Sequence, residues 1–513
     1  MKTVGRTRNR LPVSPRAVTI GICLALLGTA GCSSGTSTAR SHSTTTVPTT
    51  ITTEPRPAGP AATLTALTGG KGVYMGEATA PELKAVGYVQ REYVAAGTAT
   101  SYKAVGPLTH DGRWTLAPDI TARYRTRVLV RAPAKASAFS GTVIVEWLNV
   151  SAGVDANPDW VNLSEEEERA GDAWVGVSAQ QIGVEGGPVA VKVTGVPGAE
   201  VAGEGLKKID PARYGSLEHP GDAYASDIYT QVARAIRGGA GMSGLRPARL
   251  IAAGQSQSAA AMVTYFNGVQ PLTHEFDGFF VHSRLAVGLP LIGETRDADI
   301  VGALRHGTVT TFRTDQVAPV LDIQTETDIT SILDSYAARQ PDTDRFRLWE
   351  VAGTAHADAH QVGTRIKYIH CGVPINDGPM HIVAKAALRA LTTWITTGKA
   401  PVIAPRVDVI PGATPTIRRN ADAIALGGIR TPPVDVPVAA LSGASGPHPS
   451  TICLLLGSSI PFSAARLAQL YPSRADYLRR YAAATNATIK AGFALPQDRA
   501  ALLAFAQPAV VAP

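Results

Sequence analysis

The chain has 513 residues, of which 45% are hydrophobic and 17% charged, a balance typical of globular proteins rather than disordered or fibrous ones. Its formal net charge is +7, but five basic residues lie in the first 31 residues, which contain no acid, and removing those five leaves +2. No cluster of lysine and arginine interleaved with aromatic residues follows, so the composition does not indicate a nucleic-acid partner.

The N-terminus has the pattern of an export signal over residues 1–31. A basic stretch to Arg16 precedes a 14-residue apolar run, Ala17–Ala30, which is too short to span a bilayer. The segment 27–32 is similar to a bacterial lipobox, with Thr29 where an aliphatic residue is usual, and predicts lipidation of Cys32. Simple secretion and an uncleaved anchor remain alternatives. We therefore expect an extracytoplasmic protein that is held at the membrane by an N-terminal lipid or is secreted.

Residues 32–60 are dominated by Ser, Thr and Pro and offer too little apolar surface to fold. This composition predicts a disordered tether between the signal and a folded domain over residues 61–513.

The folded domain begins with a β-rich region. Antiparallel strands are expected over Tyr88–Val94 and Tyr124–Arg131, and the nearly continuous apolar run Thr142–Val150 predicts a strand buried on both faces. A helix over residues 157–170 follows, with Asn157 as its N-cap, and we interpret its Glu165–Glu168 run as a solvated face.

Strands and helices then alternate, which indicates parallel pairing through right-handed crossovers. A glycine-rich excursion is expected over 183–221, and the helices after residue 400 form a C-terminal extension that packs back on the sheet, unless they form a separate domain. The remaining strands are predicted over Ala173–Ala179, Arg249–Ala253, Phe276–His282, Val317–Thr325 and Phe346–Val351, and the helices over Tyr224–Arg237, Pro379–Thr397, Phe462–Thr488 and Gln497–Ala506.

The strongest local signal is Gly254-Gln255-Ser256-Gln257-Ser258, placed between a predicted strand and a helix. A Gly-x-Ser-x-small sequence at such a corner is typical of a nucleophile elbow, in which small flanking residues permit a tight turn. The pattern predicts Ser256 as a nucleophile and the backbone N–H of Gln257 as one oxyanion donor. Ser258 stands where glycine is usual.

A serine nucleophile needs a base and an acid that orients the base, and in this type of fold they follow the serine in the order acid, histidine. Two carboxylates, Glu326 and Asp328, come directly after a predicted strand, and the next strand leads through Gly-Thr-Ala to His356. We favour Asp328 over Glu326 as the acid, because a short aspartate a few residues into the loop suffices; Asp322 within the strand is a poorer candidate.

The second oxyanion donor is expected in the loop after the strand that begins at Thr142, where we favour Asn149 or Val150. Trp147 and Trp160 flank this loop, and core packing is the favoured role for Trp147. His282 and Arg284 lie just past another strand, at the edge of the sheet where α/β folds bind ligands, and we expect them either to line the pocket or to have structural roles.

His356 and His360 stand four residues apart with Asp358 between them, but the H-E-x-x-H glutamate is lacking, and we expect no metal site. No organic cofactor is implied either. Because Cys23 lies in the signal and Cys32 is consumed by lipid, Cys371 and Cys453 are expected to form a disulfide after export, the alternative being two buried thiols.

Four stretches of the chain resemble the bacterial alpha/beta hydrolase domain family of serine hydrolases: 145–151, 174–180, the segment around Ser256, and 351–358. The resemblance implies an α/β-hydrolase fold, with a mostly parallel central sheet flanked by helices and antiparallel strands on its N-terminal side. It also implies esterase chemistry with Ser256 and His356 in the roles given above.

Hydrolysis of a small-molecule carboxylic ester through a Ser-His-acid triad is the favoured hypothesis. The alternatives are acyl transfer to an envelope lipid or sugar, and a non-catalytic envelope binding protein on a hydrolase fold. The sequence does not indicate the substrate or the oligomeric state.

Overall fold

The computed structural model describes residues 55–294, 296–330, 332–447 and 450–513. The predicted export signal, the predicted lipidation site at Cys32 and most of the predicted tether lie outside these ranges. None of the described helices is long and apolar enough to cross a membrane.

A nine-stranded sheet forms the centre of the fold, in the strand order β1-β2-β3-β5-β4-β6-β7-β8-β9. The pairings from β1 to β3, and of β3 with β5, are antiparallel, whereas all others are parallel. This confirms the predicted mostly parallel sheet with antiparallel strands on its N-terminal side. The strands are β1 Thr63–Ala66, β2 Tyr88–Ala104, β3 Leu116–Pro133, β4 Thr142–Trp147, β5 Ala173–Val177, β6 Arg249–Gln255, β7 Gly278–His282, β8 Val320–Thr325 and β9 Phe346–Val351.

Helices cover both faces of the sheet, which explains why β4 is buried throughout and largely apolar. Val143 and Val145 belong to one core with the helix around Tyr229, and Ile144 belongs to the opposite core with Trp160. The helices are α1 Pro158–Ala170, α2 Gln181–Glu185, α3 Gly205–Ile209, α4 Pro211–Tyr214, α5 Ala225–Arg237, α6 Gln257–Thr264, α7 Gln270–Thr273, α8 Ile300–His306, α9 Glu326–Thr330, α10 Ala359–Val362, α11 Met380–Thr397, α12 Pro432–Asp435, α13 Ala464–Leu470, α14 Arg474–Lys490 and α15 Arg499–Ala504.

Two small antiparallel pairs of strands lie outside the central sheet: β10 Val409–Ile410 with β11 Thr416–Ile417, and β12 Ala439–Ser442 with β13 Ser458–Pro461. The C-terminal part packs on the sheet, since Ile429 bridges Val351 at the end of β9 and Phe493 contacts Trp349. The helix predicted over Phe462–Thr488 is interrupted at Pro472, because proline lacks the N–H that would continue it, and α13 and α14 take its place.

Several predicted boundaries differ from those observed. β2 and β3 are much longer than expected, because they form one long antiparallel ribbon that pairs from Tyr88 with Pro133 to Ala104 with Leu116. β4 ends at Trp147 rather than Val150, since the chain turns there into the loop of the candidate site. The predicted glycine-rich excursion contains two short helices, α3 and α4, and the helix α2 extends into its start.

The Glu165–Glu168 run is not the solvated face that we expected. Glu166 and Glu167 are buried, whereas Glu165 is exposed and pairs with Lys385. Glu166 pairs with Arg389 of α11, and burial raises the pKa of the Glu167 carboxyl well above its usual value. The run fails as an indicator of exposure because α1 packs both on the sheet and against the neighbouring helix α11, so that two of its faces are covered.

Asn157 occupies the N-cap position of α1, but its side chain makes no capping hydrogen bond. The Glu146 carboxylate at the end of β4 caps the helix instead, accepting hydrogen bonds at 3.0 Å from the backbone N–H groups of both Asp159 and Trp160. A carboxylate at a helix N-terminus satisfies free N–H groups and complements the helix dipole. A tertiary contact therefore replaces the local cap predicted from the sequence.

Candidate active site

Ser256 lies in the sharp turn between β6 and α6, with a positive φ of 63°. A hydrogen bond to the neighbouring strand stabilises this strained conformation, because the Ser256 N–H donates to the His282 carbonyl of β7 at 3.0 Å. A Cβ atom at Gly254 would lie 2.7 Å from the Ser258 carbonyl oxygen, so glycine is required there. Ser258 is completely buried, and its small side chain fits the site where glycine is usual.

His356 lies in the loop after β9, whereas Asp328 lies on the short helix α9 that directly follows β8 and not in the loop expected there; the two side chains converge on Ser256. The Ser256 Oγ lies 2.9 Å from His356 Nε2, and His356 Nδ1 lies 2.7 Å from Asp328 Oδ1. The other Asp328 oxygen accepts hydrogen bonds from the Thr325 N–H and hydroxyl. The structure thus brings together three predicted site residues in one hydrogen-bonded chain.

Asp328 is fully buried, yet it is held in its charged form. Burial by itself would raise the pKa of this carboxyl, but His356 and the Thr325 hydrogen bonds outweigh it and lower the pKa below its usual value. An ionised carboxylate at this position fixes the imidazole with a proton on Nδ1 and leaves Nε2 free to accept the proton of Ser256.

Glu326, the alternative acid, faces away from His356. Its carboxylate accepts hydrogen bonds from the Gly353 N–H at 2.6 Å and the Gly443 N–H at 3.1 Å, and it pairs with Arg419 at 2.6 Å. These contacts connect the loop after β9 to the C-terminal part of the chain, and they engage both oxygens of the carboxylate.

Of the two residues expected to supply the second oxyanion donor, Asn149 has its N–H engaged, because it donates to the Ala156 carbonyl at 2.8 Å. The N–H groups of Val150 and Gln257 have no acceptor among the hydrogen bonds of the described residues. Both residues line the same cavity, beside the elbow. Val150 and Gln257 therefore each offer an N–H group without a protein acceptor beside the elbow, as the donors of an oxyanion hole would.

The side chain of Asn149 connects the two halves of this candidate oxyanion hole. Its Nδ2 donates to the Gln255 carbonyl at 2.9 Å, and its Oδ1 accepts from the Ser151 N–H at 2.9 Å. The Ser151 hydroxyl in turn donates to the Gln257 side-chain oxygen at 2.9 Å. The loop after β4 is therefore fixed relative to the elbow on both sides of Val150.

A buried polar network below the elbow was not anticipated from the sequence. His282 Nδ1 lies 2.9 Å from Asp159 Oδ1, and the backbone of Asp159 is held by Glu146, which also accepts from the Trp174 indole at 2.7 Å. Burial raises the pKa of the Glu146 carboxyl well above its usual value. The network ends at the His282 carbonyl, which holds Ser256. A glutamate at the end of the apolar run Thr142–Trp147 was the signal that could have revealed it.

The two tryptophans beside the loop are core residues. Trp147 packs against Tyr229, and Trp160 packs against Trp174 beneath the Arg131 guanidinium. Arg284 is also buried and donates to the backbone carbonyls of Leu285 and Thr310, so its role is structural.

His360 takes no part in the hydrogen-bonded chain of Ser256, His356 and Asp328. Its ring stacks on His381 at 3.8 Å, and Asp358 caps α10 by accepting from the Gln361 N–H. Within the described ranges no group of three or more His, Cys, Asp or Glu side chains is arranged to hold a metal ion.

Cys371 and Cys453 are paired as a disulfide with a Cα–Cα distance of 5.5 Å. Their neighbourhood supports the loop of His356, since the Ala357 N–H donates to the Leu455 carbonyl at 3.0 Å. The bridge therefore ties the segment of Cys371 to the segment of Cys453, which hydrogen-bonds the residue after His356.

Similar solved structures are distant in sequence. A putative dienelactone hydrolase from Klebsiella pneumoniae is 13% identical, with 59% of this chain and 98% of that chain covered and a TM-score of 0.29. An esterase from Rhizomucor miehei is 10% identical, with 59% and 86% covered and a TM-score of 0.30. A carboxyl esterase from Tuber melanosporum is 9% identical, with 57% and 88% covered and a TM-score of 0.28.

At these TM-scores the neighbours carry no argument about substrate, and among curated proteins none matches this chain significantly. The family model described as alpha/beta hydrolase domain matches residues 55–504, which is most of the chain and includes every residue of the candidate site. Together with the parallel sheet and the strand-turn-helix at Ser256, this match shows that the chain belongs to the alpha/beta hydrolase domain family.

Proposed function

We propose that this protein is a serine hydrolase that cleaves a carboxylic ester through Ser256, His356 and Asp328. The single observation that carries the proposal is the hydrogen-bonded chain from Asp328 through His356 to the Ser256 Oγ, at 2.7 and 2.9 Å. The position of Ser256 at the top of the sheet, beside a cavity of about 1190 Å³ lined by Val150 and Gln257, supports it.

In the first half of the reaction the Ser256 oxygen attacks the ester carbonyl carbon while His356 Nε2 takes the hydroxyl proton. The carbonyl oxygen becomes an oxyanion, which the N–H groups of Val150 and Gln257 stabilise. The C–O bond to the alcohol then breaks, and His356 returns the proton to the leaving alkoxide. The products are a free alcohol and an acyl-Ser256 ester.

In the second half water attacks the acyl-Ser256 carbonyl, with His356 as the base again. Collapse of the second tetrahedral intermediate releases the carboxylic acid and restores the Ser256 hydroxyl. Throughout, Asp328 stabilises the imidazolium and keeps the proton on Nδ1. These steps use only protein groups, ester and water.

The test compares Ser256→Ala with Ser258→Ala, whose hydroxyl is buried two residues away. Ser256→Ala should lower kcat at least about 100-fold and abolish labelling by a fluorophosphonate probe, since loss of a serine nucleophile costs on the order of a million-fold elsewhere. Ser258→Ala should retain activity. A Ser256→Ala protein with more than about 1% of the wild-type kcat would contradict the proposal. Product analysis with an added alcohol distinguishes hydrolysis from acyl transfer.

For its location we propose export and lipidation at Cys32, on the pattern of residues 1–32 alone. Cys32→Ala should move the protein from the membrane fraction to the soluble fraction of an expressing bacterium, because the acyl chains supply the membrane affinity. Ser33→Ala serves as the control. Equal membrane retention of both variants would contradict lipid anchoring.

A further inference from the structure

The candidate nucleophile and its base come from strands that are not neighbours in the sheet. Ser256 follows β6 and His356 lies in the loop after β9, and β7 and β8 lie between these two strands. Pairing of adjacent strands therefore does not set the separation of the two residues. Their 2.9 Å contact joins the tips of two side chains, so a further contact is needed to hold their backbones at the right distance.

The side chain of Gln255, the residue directly before Ser256, makes such a contact. Its Nε2 donates to the His356 backbone carbonyl at 3.0 Å, and both residues are buried. Among the hydrogen bonds of the described residues, this is the one that the His356 carbonyl accepts. Gln255 thus connects the chain of the nucleophile directly to the chain of the base.

The peptide unit between His356 and Ala357 is held on both sides. Its carbonyl accepts from Gln255, and its N–H donates to the Leu455 carbonyl at 3.0 Å. Because a peptide unit is planar, these two hydrogen bonds fix its orientation and the direction in which His356 presents its ring. Asp328 contacts the ring only at Nδ1, about which the imidazole could still pivot, and the fixed peptide supplies the second point of attachment.

A relay of side-chain amides determines which way the Gln255 amide faces. Asn162 Nδ2 donates to the Pro158 carbonyl at 2.8 Å and to Gln361 Oε1 at 3.2 Å, and Gln361 Oε1 also accepts from Gln255 Nε2 at 3.2 Å. Backbone carbonyls, which can only accept, stand at both ends of this relay. Position 255 therefore requires a donor, and it requires the length of glutamine to reach His356.

The backbone of Gln255 contributes a further connection, because its carbonyl accepts from Asn149 Nδ2 at 2.9 Å. One residue thus contacts the loop of the candidate oxyanion donor, the nucleophile and the chain of the base. Without the Gln255 amide the buried His356 carbonyl would lack a donor, and a buried peptide in that state reorients toward another partner.

From these contacts, and resting on the proposed function, we infer that Gln255 is a positioning residue for His356. Its amide fixes the His356 peptide so that Nε2 stays within hydrogen-bond reach of the Ser256 hydroxyl. Gln255 acts through His356 and does not itself contact the reacting atoms.

Two substitutions separate the donor from the reach of the side chain. Gln255→Met keeps the length and removes the donor, whereas Gln255→Asn keeps the amide and shortens the side chain by one methylene. Both should lower kcat about 10–100-fold, because misplacing a reacting group by roughly 1 Å costs on this order. KM should change less than about threefold, since substrate binding does not use the His356 peptide. Wild-type kcat in either variant would overturn the inference.

The matched control is Gln270→Met. Gln270 is also buried, and its Nε2 donates to the Phe276 backbone carbonyl at 2.8 Å, before the start of β7 and away from the elbow. This variant should keep kcat within about twofold of wild type, as expected for a substitution remote from the reacting groups. A loss in Gln270→Met equal to that in Gln255→Met would show a general effect of removing a buried amide and would overturn the inference.

A second test asks whether Gln255 acts through His356. In a His356→Ala background, the residual rate with p-nitrophenyl acetate, corrected for that of Ser256→Ala, should fall less than about twofold on adding Gln255→Met. A residue that only positions the imidazole has no further effect once the imidazole is absent. Equal losses in the two backgrounds would show that Gln255 acts on the elbow or on the fold, and would overturn the inference.

These outcomes distinguish the inference from the proposed function. If a fluorophosphonate labels wild-type Ser256 and esters are hydrolysed, but the Gln255 variants match Gln270→Met, the positioning role is overturned alone. If wild-type Ser256 is not labelled and no ester is hydrolysed, the proposed function is overturned and the inference falls with it. Urea unfolding midpoints of the Gln255 variants should be close to that of Gln270→Met. Failure of both Gln255 variants to fold would assign the residue to the fold and would also overturn the positioning role.

Discussion

Asn149 Nδ2 donates a hydrogen bond to the Gln255 carbonyl at 2.9 Å, which ties the loop after β4 to the residue that precedes Ser256. The backbone N–H of Asn149 is engaged by the Ala156 carbonyl, so in the proposed mechanism this residue positions the oxyanion donors and does not donate to the oxyanion itself. The Val150 N–H and the Ser256 Oγ come from different strands, and the Asn149 side chain holds their relative position.

Asn149→Ala should therefore lower kcat by about 10–100-fold with little change in KM, because the oxyanion donor is misplaced only for the transition state. The matched control is Asn267→Ala, which removes a buried asparagine that donates to the Thr311 carbonyl and accepts from the Arg313 N–H, among residues outside the site. Both variants should lose about 1–3 kcal/mol of unfolding free energy. Equal kcat for Asn149→Ala and Asn267→Ala would argue against a positioning role.

Amide substitutions of the two candidate acids, Asp328 and Glu326, should lower kcat by very different factors. Asp328→Asn should lower kcat by roughly 10⁴-fold with the fold preserved, because the amide no longer holds the required imidazole tautomer. Glu326→Gln should cost less than about tenfold in kcat and should instead lower the unfolding free energy by about 1–3 kcal/mol, since its partner Arg419 loses a buried carboxylate. Steady-state kinetics and urea unfolding of both variants make the comparison. The opposite ranking of kcat would place Glu326 in the triad.

The unfolding free energy should depend on pH through Asp322, which lies within β8. Burial raises the pKa of this carboxyl to about 7, despite Arg284 and Gln324 beside it. Because the folded state holds the proton more tightly than the unfolded state, the stabilisation is complete below the unfolded pKa of about 3.9 and is lost as pH rises through about 7.

Wild-type protein should accordingly lose unfolding free energy between pH 5 and pH 8, and Asp322→Asn should remove on the order of 2 kcal/mol of that loss. Urea unfolding at the two pH values measures it, with the exposed Asp119→Asn as the control. If Asp322→Asn shows the same pH dependence as wild type, another group is responsible.

The Cys371–Cys453 bridge spans 82 residues of sequence. Replacing both cysteines by alanine should lower the unfolding free energy by about 3–4 kcal/mol, because the unfolded chain gains the freedom of a long loop. Iodoacetamide should leave both residues unmodified in the denatured, unreduced protein. Alkylation of both cysteines under those conditions would rule out the bridge.

Much of the fold could be predicted because the signals are local. The buried run at Thr142, the Gly-x-Ser-x-small corner and the alternation of strands and helices depend on hydrophobic periodicity and turn sterics, which neighbouring residues specify. The predicted ends of the helices and strands were less accurate. The strands β2 and β3 are longer than predicted, because pairing between strands sets how far each one extends.

The sequence by itself determined the order of Ser256, the two acids and His356, since that order is read directly along the chain. Only the tertiary structure decided that Asp328 rather than Glu326 meets His356, because two carboxylates two residues apart on α9 point in different directions. It also decided that Glu166 and Glu167 are buried, that Glu146 replaces Asn157 as the cap of α1, and that the Asn149 N–H is occupied. Each of these features depends on which segments, distant in sequence, pack against a residue, and the local sequence around that residue does not specify them.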